Sequence, residues 1–273
     1  MKLDERLTAV VTGGASGIGR GIVRELARQN VRVISLDIDD EKNEETAREA
    51  AKLSKGGALA YHLDVGDPQE ISEVFDRLMA KEHIDILVNN AGIFIQNSYL
   101  KGSYEEALAI FDRQMNINAR GTYLCTKKVA RAMAERGYGA IINIVTNHLK
   151  RALYRPSRSE QAYDASKWAQ YELNESMNRE LSEHGIRVAA LCPASTRTGM
   201  LQKFFDDYGI ELNQENVYKV THFNALLEPE DVGRAAVNVL SWDESQPSGK
   251  AYLLIYPTDC DILKQGHQES LVI

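Results

Sequence analysis

Cysteine, proline and long hydrophobic runs are scarce in this 273-residue sequence. Its three cysteines, Cys125, Cys192 and Cys260, form no CxxC pair and show no metal-ligand spacing, so neither a disulfide framework nor a metal site is predicted. No signal-peptide core and no stretch of about 18 apolar residues is present, which argues against export or a membrane span. We therefore expect buried, reduced thiols in a cytoplasmic protein without a metal.

Positive charge is also in deficit, because 32 lysine and arginine residues face 39 aspartate and glutamate residues and leave a net charge of −7. This balance gives no reason to expect binding to nucleic acid or to an anionic membrane surface. The apolar fraction of 44% is sufficient for a sizeable core, and no linker rich in proline, glycine or serine divides the chain. A single domain over residues 1–273 with small-molecule partners is the prediction.

The first feature that is present is a strand, glycine loop and helix at the start of the chain. A short apolar run, 7–11, stops at Thr12, and helical spacing of apolar residues follows the glycines. Glycines let the backbone approach a diphosphate, and the N-terminus of the helix offers free N–H groups. The spacing Gly-x-x-x-Gly-x-Gly differs from the common dinucleotide fingerprint, so a plain turn is the alternative. The predicted cofactor residues of this loop are Gly13, Ser16, Gly17, Ile18 and Gly19.

A second apolar run, 31–36, ends at Asp37, eighteen residues past Gly19. A dinucleotide-binding fold places an acid at this point to bind the adenosine ribose. A carboxylate there would repel a 2′-phosphate, and no arginine stands beside it. Asp37 therefore favours NAD over NADP, with an exposed acid at a strand end as the alternative.

Further short apolar runs alternate with helical stretches along the rest of the chain. This alternation predicts parallel strands joined by right-handed crossovers, that is, a Rossmann-type, doubly wound α/β sheet of about seven strands with helices on both faces. Ligands of such a sheet bind at the carboxyl ends of its strands. The additional predicted strands are 58–63, 84–88, 139–145, 185–192 and 250–255.

Tyr163 and Lys167 form a Tyr-x-x-x-Lys pattern at the start of a predicted helix, 165–182. Residues four apart share one face of a helix, so the phenol and the ammonium can point into one cleft. The cation would favour the phenolate and lower the pKa of the tyrosine, which suits a general acid or base. Alone, the pattern is weak, because most such pairs on helices are simply solvated.

Together with Thr12–Gly19 and the Asn-Asn-Ala-Gly sequence at 89–92, this pattern resembles the short-chain dehydrogenase/reductase family over nearly the whole length. The resemblance implies an NAD-dependent oxidoreductase in which Tyr163 exchanges the hydroxyl proton and Lys167 lowers its pKa and binds ribose. It also implies a homo-oligomer, a dimer or tetramer, built on two long helical stretches, 107–134, which the sequence interrupts near 116–121, and 165–182.

The resemblance assigns further roles residue by residue. Asn118 would hold a water that links the lysine to solvent, and Thr146, where the family usually has serine, would orient the substrate oxygen. Ala194 stands where the family has glycine. The other positions that would contact the cofactor are Asp64, Val65, Asn90, Ala91, Gly92, Pro193, Thr196 and Thr198.

The loop between Thr146 and Tyr163 is unusually basic and would line the substrate pocket. Its arginines predict an anionic substituent, and His148 suggests a sugar or polyol, as in the sugar dehydrogenases of the family. Residues 195–227 are predicted to form a lid, whose aromatic residues favour the competing interpretation of a bulky, steroid-like alcohol. A non-catalytic NAD-binding sensor is the alternative from another class. The predicted substrate residues are Thr146, His148, Arg151, Arg158 and Arg197, with Arg155 as a further basic residue of the loop.

Overall fold

The structure, a computed structural model, describes residues 1–150, 160–221, 225–241 and 248–262. Within these ranges seven parallel strands form one sheet in the order β3-β2-β1-β4-β5-β6-β7. The predicted Rossmann-type α/β architecture is confirmed. The strands are β1 (Thr8–Thr12), β2 (Arg32–Asp37), β3 (Ala58–His62), β4 (Ile86–Asn89), β5 (Gly139–Ile144), β6 (Ile186–Pro193) and β7 (Ala251–Leu254).

Helices cover both faces of the sheet. Apolar residues of α1, α2 and α9 pack on one face, and those of α3, α5 and α6 pack on the other. The α-helices of the described ranges are α1 (Gly17–Arg28), α2 (Asp40–Leu53), α3 (Pro68–Met79), α4 (Tyr104–Gln114), α5 (Thr122–Arg136), α6 (Gln161–Leu181), α7 (Gly199–Asp207), α8 (Gln214–Thr221), α9 (Pro229–Ser241) and α10 (Pro257–Ile262).

The strands other than the edge strand β3 are apolar on both sides because helices cover both faces of the sheet there. Successive residues of a strand point to opposite faces, so Val11 packs with the α1 side and Val10 with the α3 side. Both valines are fully buried. This is why the strands read as continuous apolar runs rather than as alternating ones.

The strand order reverses between β1 and β4, and a crevice opens there at the carboxyl ends of the strands. The loops that follow β1, β4, β5 and β6 meet at this edge. The fold thus gathers the glycine loop, the Asn-Asn-Ala-Gly sequence, Thr146 and the segment after Pro193 on one side of the sheet.

The structure corrects the start of one predicted helix. Helix α6 begins at Gln161, so Tyr163 lies inside its first turn rather than before the predicted start at Ala165. The interruption predicted near 116–121 is confirmed, because a π-helical segment, Met115–Gly121, divides the stretch 107–134 between α4 and α5. Helices α7 and α8 occupy the predicted lid. None of the helices in the described ranges combines the length and hydropathy of a bilayer crossing.

Candidate active site

The glycine loop has a backbone that only glycine permits. Gly13 and Gly17 have φ of +67° and +51°, in the left-handed region. A Cβ atom on Gly19 would lie 1.9 Å from the carbonyl oxygen of Gly13. Gly19 therefore lets the loop close on the first turn of α1, whereas Gly13 and Gly17 line the cleft beside it.

Hydrogen bonds tie this loop to the sequence that follows β4. The backbone N–H groups of Asn90 and Ala91 each donate to the Thr12 hydroxyl at 3.1 Å. The Asn90 side chain donates to the carbonyl oxygen of Gly13 at 2.9 Å, and that of Asn89 donates to the Asn143 side chain at 2.9 Å. The two loops form one rigid wall because every one of these groups is buried or half-buried.

A long cleft runs from Asp37 to Lys167 across the carboxyl edge of the sheet. Its features fit a dinucleotide. The helix-capping residue Ser16 makes no side-chain bond to the first turn of α1, which leaves the N–H groups of that turn for an anion. Residues that line the cleft and were predicted for the cofactor are Gly13, Ser16, Gly17, Ile18, Asp37, Asp64, Val65, Asn90, Ala91, Gly92, Tyr163, Lys167 and Thr198.

The backbone fixes the Asp37 carboxylate in position at the end of β2. Its Oδ2 accepts from the N–H of Ala15 at 3.0 Å, and its Oδ1 accepts from the N–H of Asp39 at 3.0 Å. Lys42 also lines the cleft, but its ammonium lies 2.6 Å from Asp39. The negative charge of Asp37 is therefore oriented by the protein and faces the cleft.

The Lys167 ammonium is almost completely buried, with 4% of the residue exposed. Its Nζ donates to the carbonyl oxygen of Ile144 at 2.9 Å and to Oε1 of Gln170 at 2.8 Å. Burial lowers the pKa of Lys167 to about 7, because a desolvated ammonium is unfavourable. Sequence reasoning missed Gln170, although its spacing of three residues from Lys167 places both on one helix face.

Tyr163 stands beside this lysine, with its ring centroid 6.0 Å from the Nζ of Lys167. Burial raises the pKa of Tyr163 above its ordinary range; a hydrogen bond with the Thr146 side chain opposes that shift, while the charges of Asp164 and Glu160 add to it. The expectation that Lys167 lowers this pKa in the protein without cofactor is therefore wrong, because desolvation of the buried phenol outweighs the hydrogen bond that favours its charged form.

Asn118 lies in the π-helical segment and is fully buried. Its Oδ1 accepts from the N–H of Ile93 at 2.8 Å, and its Nδ2 donates to the carbonyl of Ile93 at 3.0 Å and to the Ser166 hydroxyl at 2.9 Å. The side chain thus joins the loop after β4 to α6. A role in holding a relay water stays a prediction.

A second cavity adjoins the cleft, and Tyr163 lines both. One wall is apolar: the Phe94 ring meets the Tyr163 ring edge-on at 5.2 Å and the Phe204 ring of α7 at 5.9 Å, and Met200 also lines the cavity. Phe205 contacts the cavity but belongs mainly to a small core with Leu212 and Val217. The predicted lid therefore supplies part of the wall, and its mobility stays a prediction.

The other wall is polar and acidic. His148 Nδ1 lies 2.8 Å from Oδ1 of Asp164, and the His148 ring meets the Tyr163 ring edge-on at 5.6 Å. Oxygen and nitrogen atoms of His148, Asp164 and Glu160 lie within 4.8 Å of one another. The sequence prediction included His148 but missed Glu160 and Asp164, whose only signal is that they precede and follow Tyr163 on the same helix turn.

Of the arginines predicted for an anionic substrate, Arg197 lies within the described residues, and it does not line this cavity. Arg197 is half-exposed, pairs with Glu228 at 2.9 Å and lines a separate pocket near α1. Its direction is set by the backbone bond from Arg197 N–H to the Leu227 carbonyl at 2.8 Å, which turns the segment after β6 toward α9. Arg151, Arg155 and Arg158 lie outside the described residues. Pro193, Ala194, Thr196 and Thr198 do line the cavity.

Comparison with known proteins agrees with this geometry. The sequence profile of the short chain dehydrogenase family matches residues 7–209. A 2,5-dichloro-2,5-cyclohexadiene-1,4-diol dehydrogenase of Sphingobium indicum is 36% identical over 238 residues, 86% of this chain and 89% of that protein. The oxidoreductase UcpA of Escherichia coli is 33% identical over 251 residues, 89% and 90% of the two chains. A crystal structure of a proposed NAD(P)-dependent gluconate 5-dehydrogenase from Beutenbergia cavernae, with NADP bound at low occupancy, superposes with a TM-score of 0.78 at 28% identity and covers 93% and 97%.

The fold and the cleft define an α/β oxidoreductase with a nicotinamide cofactor and a small-molecule substrate. The chain belongs to the short-chain dehydrogenase/reductase family. The resemblance stated from the glycine loop and the Tyr-x-x-x-Lys pattern is therefore confirmed.

The depressed pKa of Lys167 predicts an unusual dependence of stability on pH. Between about pH 7 and the ordinary lysine pKa of 10.5, the unfolded chain carries one proton more than the folded chain, so the penalty of the buried ammonium is complete below about pH 7 and is lost as pH rises. Lys167→Met removes this penalty, so its free energy of unfolding should exceed that of wild type by the largest margin near pH 7. Above pH 7 the wild-type protein gains stability, and the margin should shrink by up to about 1.4 kcal/mol per pH unit.

Urea denaturation at several pH values between about 6.5 and 9.5 measures this difference. Lys203→Met is the matched control, because the side chain of Lys203 is 74% exposed and its difference should not vary with pH. A Lys167→Met difference that is equally flat would contradict the prediction.

Proposed function

We propose that the protein is an NAD-dependent dehydrogenase that oxidises an alcohol or cyclic hemiacetal of a compact, partly polar substrate. The observation that carries the proposal is the position of Tyr163, which lines both the cofactor cleft and the adjoining cavity and has Thr146 as a hydrogen-bond partner. A hydroxyl group in the cavity can therefore contact a proton acceptor while its carbon faces the cleft.

NAD, when bound in the cleft, would supply the hydride acceptor, and its positive nicotinamide ring would add charge beside Tyr163. Thr146 orients the substrate oxygen, and Tyr163 removes the hydroxyl proton as a phenolate. Lys167, whose ammonium is bound by the Ile144 carbonyl and the Gln170 side chain, would favour that phenolate and bind the ribose. The first turn of α1 holds the diphosphate.

The two unlike walls of the cavity support a substrate of mixed polarity. Phe94, Met200 and Phe204 offer apolar contact, while Glu160 and His148 offer acceptors for further hydroxyl groups. A cyclic diol, polyol or sugar combines a ring with such hydroxyls, and one relative is a dehydrogenase of a cyclohexadiene diol. An acidic substituent, predicted from the sequence, would depend on the arginines of 151–158 and would face Glu160. A larger steroid-like alcohol is less well supported, because it would use only the apolar wall. A non-catalytic sensor is also less well supported, because it would not need the Thr146 hydroxyl beside Tyr163.

Turnover with NAD tests this function directly. We expect a screen of cyclic diols, polyols and sugars, each paired with its carboxylated or phosphorylated counterpart and accompanied by steroid alcohols, to give NADH formation with neutral polyhydroxylated members. Tyr163→Phe should lower kcat by about 10²–10⁴-fold because the proton acceptor is removed, while NADH binding is retained. Full turnover of Tyr163→Phe would exclude the mechanism; preference for charged members or for steroids would exclude the substrate class.

The preference for NAD is proposed from Asp37, since one structural relative contains NADP. Asp37→Ala should raise the NADP/NAD ratio of kcat/KM by about 10- to 100-fold, because a fixed carboxylate no longer repels a 2′-phosphate. Asp40→Ala is the control, since Asp40 pairs with His62 at 2.8 Å and neither residue is among those that line the cleft. Equal kcat/KM for both cofactors in the wild-type protein would refute the assignment.

We also propose that the protein is a cytoplasmic homo-oligomer. Three buried free thiols suit a reducing compartment. An exposed apolar stripe on α4, Tyr104, Leu108 and Phe111, suits a contact between copies, because its members lie at helical spacing and are 78%, 49% and 45% exposed.

Light scattering should give a mass of two or four times the 30.5 kDa of one chain. Leu108→Glu should shift the mass toward one chain, because a carboxylate on the stripe opposes its burial. Leu53→Glu on α2, where the leucine is 41% exposed against 49% for Leu108, should leave the mass unchanged. A wild-type mass near 30.5 kDa would rule out the assembly.

A further inference from the structure

We propose that Gln170 is a positioning residue for the reaction: its side-chain amide holds the Lys167 ammonium in the orientation and charge state that Tyr163 needs. The inference rests on the proposed roles of Tyr163 and Lys167. It assigns a function to a residue that no motif marks and that touches neither the cleft nor the adjoining cavity in the described part of the chain.

Gln170 is fully buried on α6, three residues after Lys167. A buried side-chain amide is unfavourable unless its polar atoms are bonded. Here both ends are used: Oε1 accepts from Lys167 Nζ at 2.8 Å, and Nε2 donates to the Thr122 hydroxyl at 2.9 Å. The cost of burying this glutamine is thus offset by one bond to the lysine and one bond to Thr122.

The roles of donor and acceptor along this chain of bonds are fixed by its two ends. An ammonium can only donate, so the amide must present its oxygen to Lys167 and its NH₂ group to Thr122. The Thr122 hydroxyl then donates to the backbone carbonyl of Asn118 at 3.0 Å. The amide of Gln170 cannot turn over without losing both of its bonds, and the π-helical segment therefore anchors the lysine through two side chains.

Two fixed acceptors restrict a side chain that is flexible by nature. Ile144 on β5 and Gln170 on α6 take two of the three N–H groups of Lys167, which leaves the third for the cleft beside Gly92. An acceptor also favours the charged form of the lysine against desolvation. More charge on Lys167 stabilises the Tyr163 phenolate, so Gln170 acts on the tyrosine through the lysine.

Other titratable groups face this pair, and the substitutions below leave them in place. Cys192 on β6 faces Lys167. His148 after β5, with Glu160 and Asp164 around the first turn of α6, faces Tyr163. A change in the titration of Tyr163 on substitution of Gln170 therefore reports on the lysine.

Phenolate absorbance of the NAD-saturated protein tests the inference without any substrate. Subtracting the spectrum of Tyr163→Phe isolates the titration of Tyr163. We expect Gln170→Met, which keeps the volume and removes the acceptor, to move that titration upward by roughly one pH unit. We expect the Kd of NADH, measured by fluorescence, to rise about three- to tenfold because the lysine loses its orientation.

Gln114→Met is the matched control. Gln114 is also fully buried and bonds at both ends, but its partner is the backbone of Ile95 rather than the lysine. It should lose stability while the titration of Tyr163 stays in place. Thr122→Val is a second test variant: it keeps the acceptor on Lys167 but releases the other end of the Gln170 amide, so a smaller shift in the same direction is expected.

The outcomes separate the inference from the proposed function. A lower melting temperature of Gln170→Met with an unchanged titration would show a purely structural role and overturn the inference alone. If Gln170→Met does not fold, an unchanged titration in Thr122→Val overturns it. If Tyr163 of the wild-type NAD complex titrates no lower than free tyrosine, at about pH 10, the proposed roles of Tyr163 and Lys167 fail, and the inference fails with them.

Discussion

The buried ammonium of Lys167 is the constraint on which the rest of the site depends. A charge held away from water is unfavourable unless other groups replace its hydration, and those groups must be fixed in place to do so. The carbonyl of Ile144 is fixed by β5, and the amide of Gln170 is fixed by Thr122 and the π-helical segment. The position of Lys167 therefore depends on the relative placement of β5, α6 and the π-helical segment.

Much of this arrangement is local in sequence, and that part could be predicted. The alternation of apolar runs and helices indicated the parallel sheet, because each run is buried on both faces and needs a crossover to the next. The position of Asp37 follows from the length of one strand–helix–strand unit. Tyr163 and Lys167 share a face because they are four residues apart on one helix.

The remainder depends on partners that are distant in the chain. Gln170 looks like any polar residue of a helix until Thr122, 48 residues earlier, is placed against it. Arg197 looked free to bind an anion, but Glu228 lies 31 residues away and pairs with it. The pKa of Tyr163 was predicted to fall because the nearby lysine was counted, whereas the burial of both groups was not visible in the pattern. The sequence also indicates an interruption near 116–121, but periodicity alone does not show that this interruption is π-helical.

That segment has a consequence for the alignment of the long helix. In an α-helix four residues overshoot one full turn by about 40°, whereas a π-helical turn takes up about one residue more. Combining the two kinds of turn therefore aligns every fourth residue, Gln114, Asn118 and Thr122, along one side of the helix. All three are buried, and they bond to Ile95, Ile93 and Gln170 respectively. Deletion of one residue from Met115–Gly121 would rotate α4 by about 100° relative to α5 and separate Gln114 from the other two. The alignment of these three side chains therefore depends on the number of residues in the segment as well as on their identities, and a sequence motif records only the identities.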